Sequence, residues 1–178
     1  MVTKKTEKKI KKEHPHLKTS DMSDLFKSAN KLRKNIDAAE YKHPVLGLIF
    51  LKYISDSFQE LYSELTKLKS EGADPEEKTE YLGEKFFWVP ENARWENIKT
   101  YSKKPEIGKI IDEAMYSIEK ENESLVGVLP KNYSIDKLDR VTLGSLVDLF
   151  TNIKFGGENN HSKDVLGKVY EYFLSSFA

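Results

Sequence analysis

A chain of 178 residues with 38% hydrophobic and 33% charged side chains has the length of one domain and enough apolar content for a single core under a heavily charged surface. The absence of cysteine excludes disulfides and thiolate metal sites, and the longest apolar run, VLGLIFL at 45–51, falls far short of the roughly 20 residues of a membrane helix. The formal charge of zero hides an asymmetry: residues 1–20 carry seven Lys and two Glu, or +5, which leaves −5 on the remaining 158 residues.

In chain order, residues 1–20 read as a basic, disordered tail without the apolar stretch of a signal peptide, so a cytoplasmic location is expected. Residues 21–178 read as one mainly α domain. SDLFKSANKLRKNID predicts a first helix with Ser23 as its cap and Leu25, Ala29, Leu32 and Ile36 on one face. A long helix follows, with Pro44 suited to its first turn and Gly72 placed to end it. From Gly47, the residues Leu51, Ile54, Phe58, Leu61, Leu65 and Leu68 alternate steps of four and three, a short heptad seam. The first half of this helix is apolar nearly all round, which predicts the buried centre of a bundle.

Asp74 and Pro75 open a further short helix, and the aromatic-dense stretch FFWVPENARWENI (86–98) has no period, as expected of a packed irregular segment or short strand leading into a turn and helix. PEIGKIIDEAMYSIEKEN predicts a helix with Ile107, Ile110, Ile111, Ala114 and Ile118 inward. LVGVLPKNYS reads as a loop, and DKLDRVTLGSLVDLFTNI as a helix capped by Thr142 or a neighbour. A Gly-Gly and Asn-Asn turn at 156–160 then precedes a terminal amphipathic helix capped by Ser162, with Val165, Leu166, Val169, Tyr170, Phe173, Leu174 and Phe177 as its stripe. No run alternates long enough for a sheet of several strands, so an irregular helical bundle with little or no sheet is expected.

Candidate chemistry is sparse. His14 and His16 flank a proline in the tail and His43 precedes a helix proline, a poor basis for a metal site without cysteine ligands. Lys52, Asp56, Glu60 and Glu64 recur at four-residue steps along the long helix and read as its wet face. FGGENNHSK lacks the strand, third glycine and Lys-Thr ending of a phosphate cradle. No catalytic, cofactor-binding or metal residue is assigned. One cluster does suggest chemistry: Arg94, Trp95, Lys99, Tyr101, Lys103 and Lys104 place four cations and two aromatics within eleven residues, the side chains that phosphate contact and stacking require. Arg94, Lys99, Lys103 and Lys104 are therefore candidate DNA contacts, and Tyr170, Phe173 and Phe177 candidate contacts to a partner or further domain.

Several segments together resemble one family. LFKSANKLRKNIDAAEYKHPVLGLIFLKYISDSF (25–58), FWVPENARW (87–95), IGKIIDEAM (107–115), GVLPKNY (127–133) and SKDVLGKVYEYFLSSFA (162–178) are similar, in this order, to the N-terminal helical domain of the modification subunit of type I restriction-modification systems. The resemblance implies a piece of an S-adenosylmethionine-dependent adenine-N6 DNA methyltransferase whose catalytic domain, with its glycine turn and Asn-Pro-Pro-Phe/Tyr motif, would follow Ala178. LPKNY lacks the paired prolines of that motif, so no catalytic residue carries over, and no cofactor is expected in this chain. The partners implied are a specificity subunit, a second modification subunit, a restriction subunit and double-stranded DNA, with no membrane. The alternative is a stand-alone helical module for protein–protein interaction, without a DNA role.

Overall fold

A computed structural model describes residues 19–83, 86–134, 138–153, 168 and 171–177 of the chain. Among these residues there are helices and turns and no strand: α1 (Thr19–Leu32), α2 (Ala38–Lys67), α3 (Lys78–Gly83), α4 (Trp95–Ile98), α5 (Ile107–Glu121) and α6 (Arg140–Thr151), with helical turns again over 171–176. The mainly α expectation is met. No described helix is long and apolar enough to cross a membrane.

The 30-residue helix α2 is the axis of the bundle. Asp37 caps it by accepting the amide of Ala39 at 2.7 Å, so the helix begins before Pro44, which lies inside it. Tyr41, Val45, Leu48, Ile49, Leu51, Ile54 and Phe58 are essentially inaccessible, and each such side chain contributes about 1.5–3 kcal/mol of apolar burial. The wetter end of the seam shows at Leu68, which is 44% exposed. Lys67 ends the α-helix, and Gly72, at φ +95°, closes a 3₁₀ turn beyond it. That left-handed position suits a residue without Cβ.

Three local expectations are corrected. Helix α1 starts at Thr19, so Ser23 lies within it and is not its cap. Asp139, not Thr142, caps α6; its carboxylate accepts the Thr142 amide at 2.8 Å. A carboxylate here competes well because it also meets the positive end of the helix. Lys52 does not belong to a wet face: it is 5% exposed, its Nζ lies 2.5 and 2.6 Å from the Asp56 carboxylate oxygens, and it donates to the Ile153 carbonyl at 2.7 Å. Lys52 thereby ties the middle of α2 to Ile153, two residues past the end of α6. Glu64, about three turns further along the helix, is exposed as expected.

The irregular aromatic stretch is held by specific bonds. Asn122, buried at the end of α5, accepts the Trp88 amide at 3.0 Å and donates to the Trp88 and Ile118 carbonyls at 2.9 and 2.7 Å. Two segments distant in sequence, HPVLG and LPKNY, meet each other. Tyr133 reaches over Gly47 and donates its hydroxyl to the Pro44 carbonyl at 2.8 Å, and a Cβ on Gly47 would stand 2.3 Å from that hydroxyl. Tyr133 is 2% exposed, so this tyrosine is a brace of the fold. Asp112 on α5 receives the Tyr133 and Ser134 amides at 2.8 and 3.0 Å and fixes the turn.

The Gly-Gly and Asn-Asn turn and Ser162 lie outside the described residues, as does Tyr170. The described end of the terminal helix docks on this chain's own core. Phe173 is inaccessible and Phe177 is 8% exposed, with ring centroids 5.5 and 5.0 Å from Phe26 of α1; Phe177 also meets Tyr41 at 5.7 Å, and Phe173 meets Phe150 at 6.3 Å. These edge-on aromatic pairs join α1, α2, α6 and the chain end into one cluster.

Candidate nucleic-acid interface

The basic stretch 94–104 is split by its backbone into an inward and an outward half. Arg94 precedes the short helix α4 in extended conformation, which turns its side chain back over α2. There the guanidinium meets the Glu76 carboxylate through two bonds of 3.1 Å, donates to the Val89 carbonyl at 3.1 Å, and lies over the Phe58 ring at 4.6 Å. Hydrogen bonding by Arg94 holds the Glu76 carboxyl below the usual carboxylate range. Arg94 therefore fastens the turn at 74–77 to the core. Trp95 follows it inward: its amide donates to Ser55 at 2.7 Å and its indole N–H to Thr151 at 2.9 Å. Lys99, on the next turn, pairs with Glu96 at 2.9 Å.

The outward half is Lys103 and Lys104. A 3₁₀ turn at Lys99–Tyr101 is followed by a reverse turn, the Lys104 amide bonding the Tyr101 carbonyl at 2.9 Å, which leaves both lysines exposed. This turn rests on α6 through Gly144. A Cβ there would lie 1.7 Å from the Ser102 carbonyl oxygen, so only glycine lets the two backbones approach this closely. The contact opens a shallow cleft of about 300 Å³ between the turn and the first half of α6. Lys103, Lys104 and Arg140 supply three cations to its lining, Ser145 a hydroxyl, and Asp148 the one carboxylate. None of the three cations makes an ion pair among the described residues.

Arg140 is the residue that sequence reasoning missed, since it stands 36 positions beyond Lys104. The readable signal is Gly144 inside an otherwise regular helix, which marks a close backbone approach without naming its partner. Lys103 and Lys104 thus come together with Arg140, while Arg94 and Lys99 are engaged elsewhere. A second, wider depression, about 440 Å³, is lined by Asn92, Asp112, Glu113, Tyr116, Ser117 and Lys131 and offers one cation against two carboxylates, a poorer match for a polyanion. The described residues contain no cluster of His and acidic side chains suited to a metal ion.

Residues 22–150 match the profile of the HsdM N-terminal domain. The chain belongs to that family. It is also 36% identical over 188 aligned positions to the methylase subunit of the type I restriction enzyme MjaIX of Methanocaldococcus jannaschii, a match that covers 98% of this chain and 34% of the relative. The methylase subunit of the type I restriction enzyme HindI of Haemophilus influenzae is 38% identical over 111 positions, 51% of this chain and 24% of the relative. The chain thus spans about a third of the length of the first of these relatives. The family match includes α1 to α6 up to Phe150 and leaves the docked terminal aromatics Phe173 and Phe177 outside it.

Proposed function

We propose that this chain is the N-terminal assembly and DNA-embracing domain of a type I restriction-modification methyltransferase subunit. In the whole subunit, S-adenosylmethionine-dependent methylation of adenine N6 belongs to a separate catalytic domain, and the partners are a specificity subunit, a second modification subunit, a restriction subunit and duplex DNA. Membership of the HsdM N-terminal domain family supports the subunit assignment. The observation that carries the DNA role is the open cleft with Lys103, Lys104 and Arg140 on one side of a body whose other basic candidates, Arg94 and Lys99, are paired with Glu76 and Glu96. Exposed, unpaired cations are the groups that exchange counterions for phosphate.

The test is duplex binding by the chain as a function of salt. Binding is expected to weaken steeply as salt rises, and changing Lys103 and Lys104 together to Glu is expected to lower affinity at least tenfold at about 0.1 M salt, from the loss of two phosphate contacts. Binding indifferent both to salt and to the double change would overturn the DNA role. Assembly is tested separately by co-purification with the specificity subunit, which the double change should leave intact.

A further inference from the structure

The cleft beside α6 carries one group that works against its other members. Val141, Gly144, Ser145 and Asp148 line it at steps of three and four along α6 and so share one face of that helix, with Arg140 at the helix start and Lys103 and Lys104 on the facing turn. Asp148 stands about 12 Å from Arg140 along the helix axis, eight residues at 1.5 Å each. A phosphate held in the cleft by the three cations therefore lies on the order of 10 Å from a carboxylate, close enough for repulsion at low salt.

Nothing in the helix itself calls for a carboxylate at 148. The residue lies in the last turn of α6, where the helix dipole disfavours negative charge, and that turn holds no basic residue. Asp148 is exposed, and its carboxylate makes no hydrogen bond or ion pair among the described residues; the Asn152 amide reaches only its backbone carbonyl, at 3.4 Å. Lys52, which donates to the Ile153 carbonyl beyond the helix, is already paired with Asp56. Other aspartates of this fold have structural partners: Asp139 caps α6, Asp112 holds the turn at 133–134, and Asp56 neutralises Lys52. Asp148 has only the cleft to act on.

We propose that Asp148 is a negative determinant of the cleft: its charge opposes the phosphate that Lys103, Lys104 and Arg140 attract, and holds duplex affinity below what those cations alone would give, so that the contact stays readily reversible. This rests on the DNA-contacting reading above and adds to it a residue that weakens binding. The other use of an aspartate against DNA, accepting a hydrogen bond from the amino group of a cytosine, needs the carboxylate to reach a base edge in a groove. Asp148 instead shares a cleft with cations suited to phosphate, which favours repulsion.

The experiment compares the chain with its Asp148→Asn, Asp148→Glu and Asp148→Lys variants on two duplexes of unrelated sequence, by fluorescence anisotropy across a salt series, with thermal unfolding of each protein alongside. Asp148→Asn should bind about threefold more tightly than the parent at about 0.02 M salt and equally at about 0.3 M, where the Debye length falls below the separation of the charges. Asp148→Lys changes the charge by twice as much and should gain about tenfold at the lower salt, whereas Asp148→Glu keeps the charge and should match the parent. The gains should be the same on both duplexes, and Asp148→Asn should unfold no earlier than the parent, because the helix dipole loses an unfavourable neighbour. Parent-like affinity of Asp148→Asn and Asp148→Lys at low salt would overturn the inference while leaving the DNA role standing. Weaker binding by Asp148→Asn, on either duplex, would overturn it in favour of a hydrogen bond to a base. Earlier unfolding of Asp148→Asn would overturn it in favour of a structural partner for the carboxylate. Absence of duplex binding by the parent and by Asp148→Lys alike would remove the DNA role itself, and this inference with it.

Discussion

Gly144→Ala puts the geometry of the cleft under test, because two effects of opposite sign meet at that residue. In a helix interior, alanine is favoured over glycine by about 0.8–1.0 kcal/mol, so an unobstructed Gly144→Ala would stabilise α6. The added Cβ, however, would stand 1.7 Å from the Ser102 carbonyl oxygen and 2.9 Å from its carbon. Real Cβ atoms essentially never come within 3.0 Å of such a neighbour, so the turn and α6 must part by more than an ångström. The obstacle is backbone, fixed by the Ser102 amide bond to the Lys99 carbonyl at 3.2 Å, and cannot swing aside as a side chain would. Overpacking of this kind costs about 1–3 kcal/mol, and a rigid obstacle places it at the upper end. The net expectation is a loss of about 2 kcal/mol, or a fall in Tm of about 4–8 °C for a domain of this size. Helical circular dichroism followed through heat and urea measures it, with Gly83→Ala as a control, since nothing lies within 4 Å of a Cβ there. A Gly144→Ala protein as stable as the parent, or more so, would refute the close backbone approach on which the cleft depends.

Arg94→Lys should cost about 1–2 kcal/mol of stability, since an ammonium reproduces neither the paired bonds to Glu76 nor the stacking on Phe58, yet leave duplex affinity unchanged. A selective loss of binding at unchanged stability would return Arg94 to the DNA surface. Phe177→Ser should destabilise the chain by about 2–4 kcal/mol in urea unfolding, because the ring is buried against Phe26 and Tyr41. Improved solubility at unchanged stability would instead show a ring facing outward. Asp139 carries a pH dependence of defined sign: the Thr142 amide lowers its folded pKa, so its contribution is complete above about pH 5 and fades as pH falls through the unfolded value near 3.9 and then the lower folded one. Asp139→Asn keeps a capping oxygen, so urea midpoints should stay close to the parent at pH 7 and fall less than the parent between about pH 5 and 2. Equal acid sensitivity in the two proteins would count against that linkage.

Period and composition make the long axis of this fold legible. The four-and-three steps do give α2 a buried seam at Gly47, Leu51, Ile54, Phe58 and Leu65, with Leu61 half-buried and Leu68 exposed past the helix end, and Ile107, Ile111, Ala114 and Ile118 do face inward from α5. What periodicity cannot show is where a charged residue ends up once neighbours close over it. Lys52 sits in an ordinary four-residue series with Asp56, yet it is buried where Ile153, two residues past α6, offers a carbonyl, a contact across 101 positions. Arg94 belongs in sequence to a basic run, but an extended backbone before α4 turns it onto the aromatic face of α2. The same limit hid Arg140, since the cleft beside α6 is assembled from segments that only the tertiary fold brings together. Caps fail for a smaller reason: Ser23 and Thr142 are acceptable capping types, and the choice among adjacent candidates depends on where packing starts the helix.

Amide hydrogen exchange of the chain with and without duplex DNA tests the central claim most directly, because it locates contact without altering any residue. The account predicts slowed exchange in the turn at 102–104 and the first half of α6, and none at the wider depression beside Asp112 and Tyr116. Protection centred on that depression, or no change anywhere in the presence of saturating duplex, would contradict it.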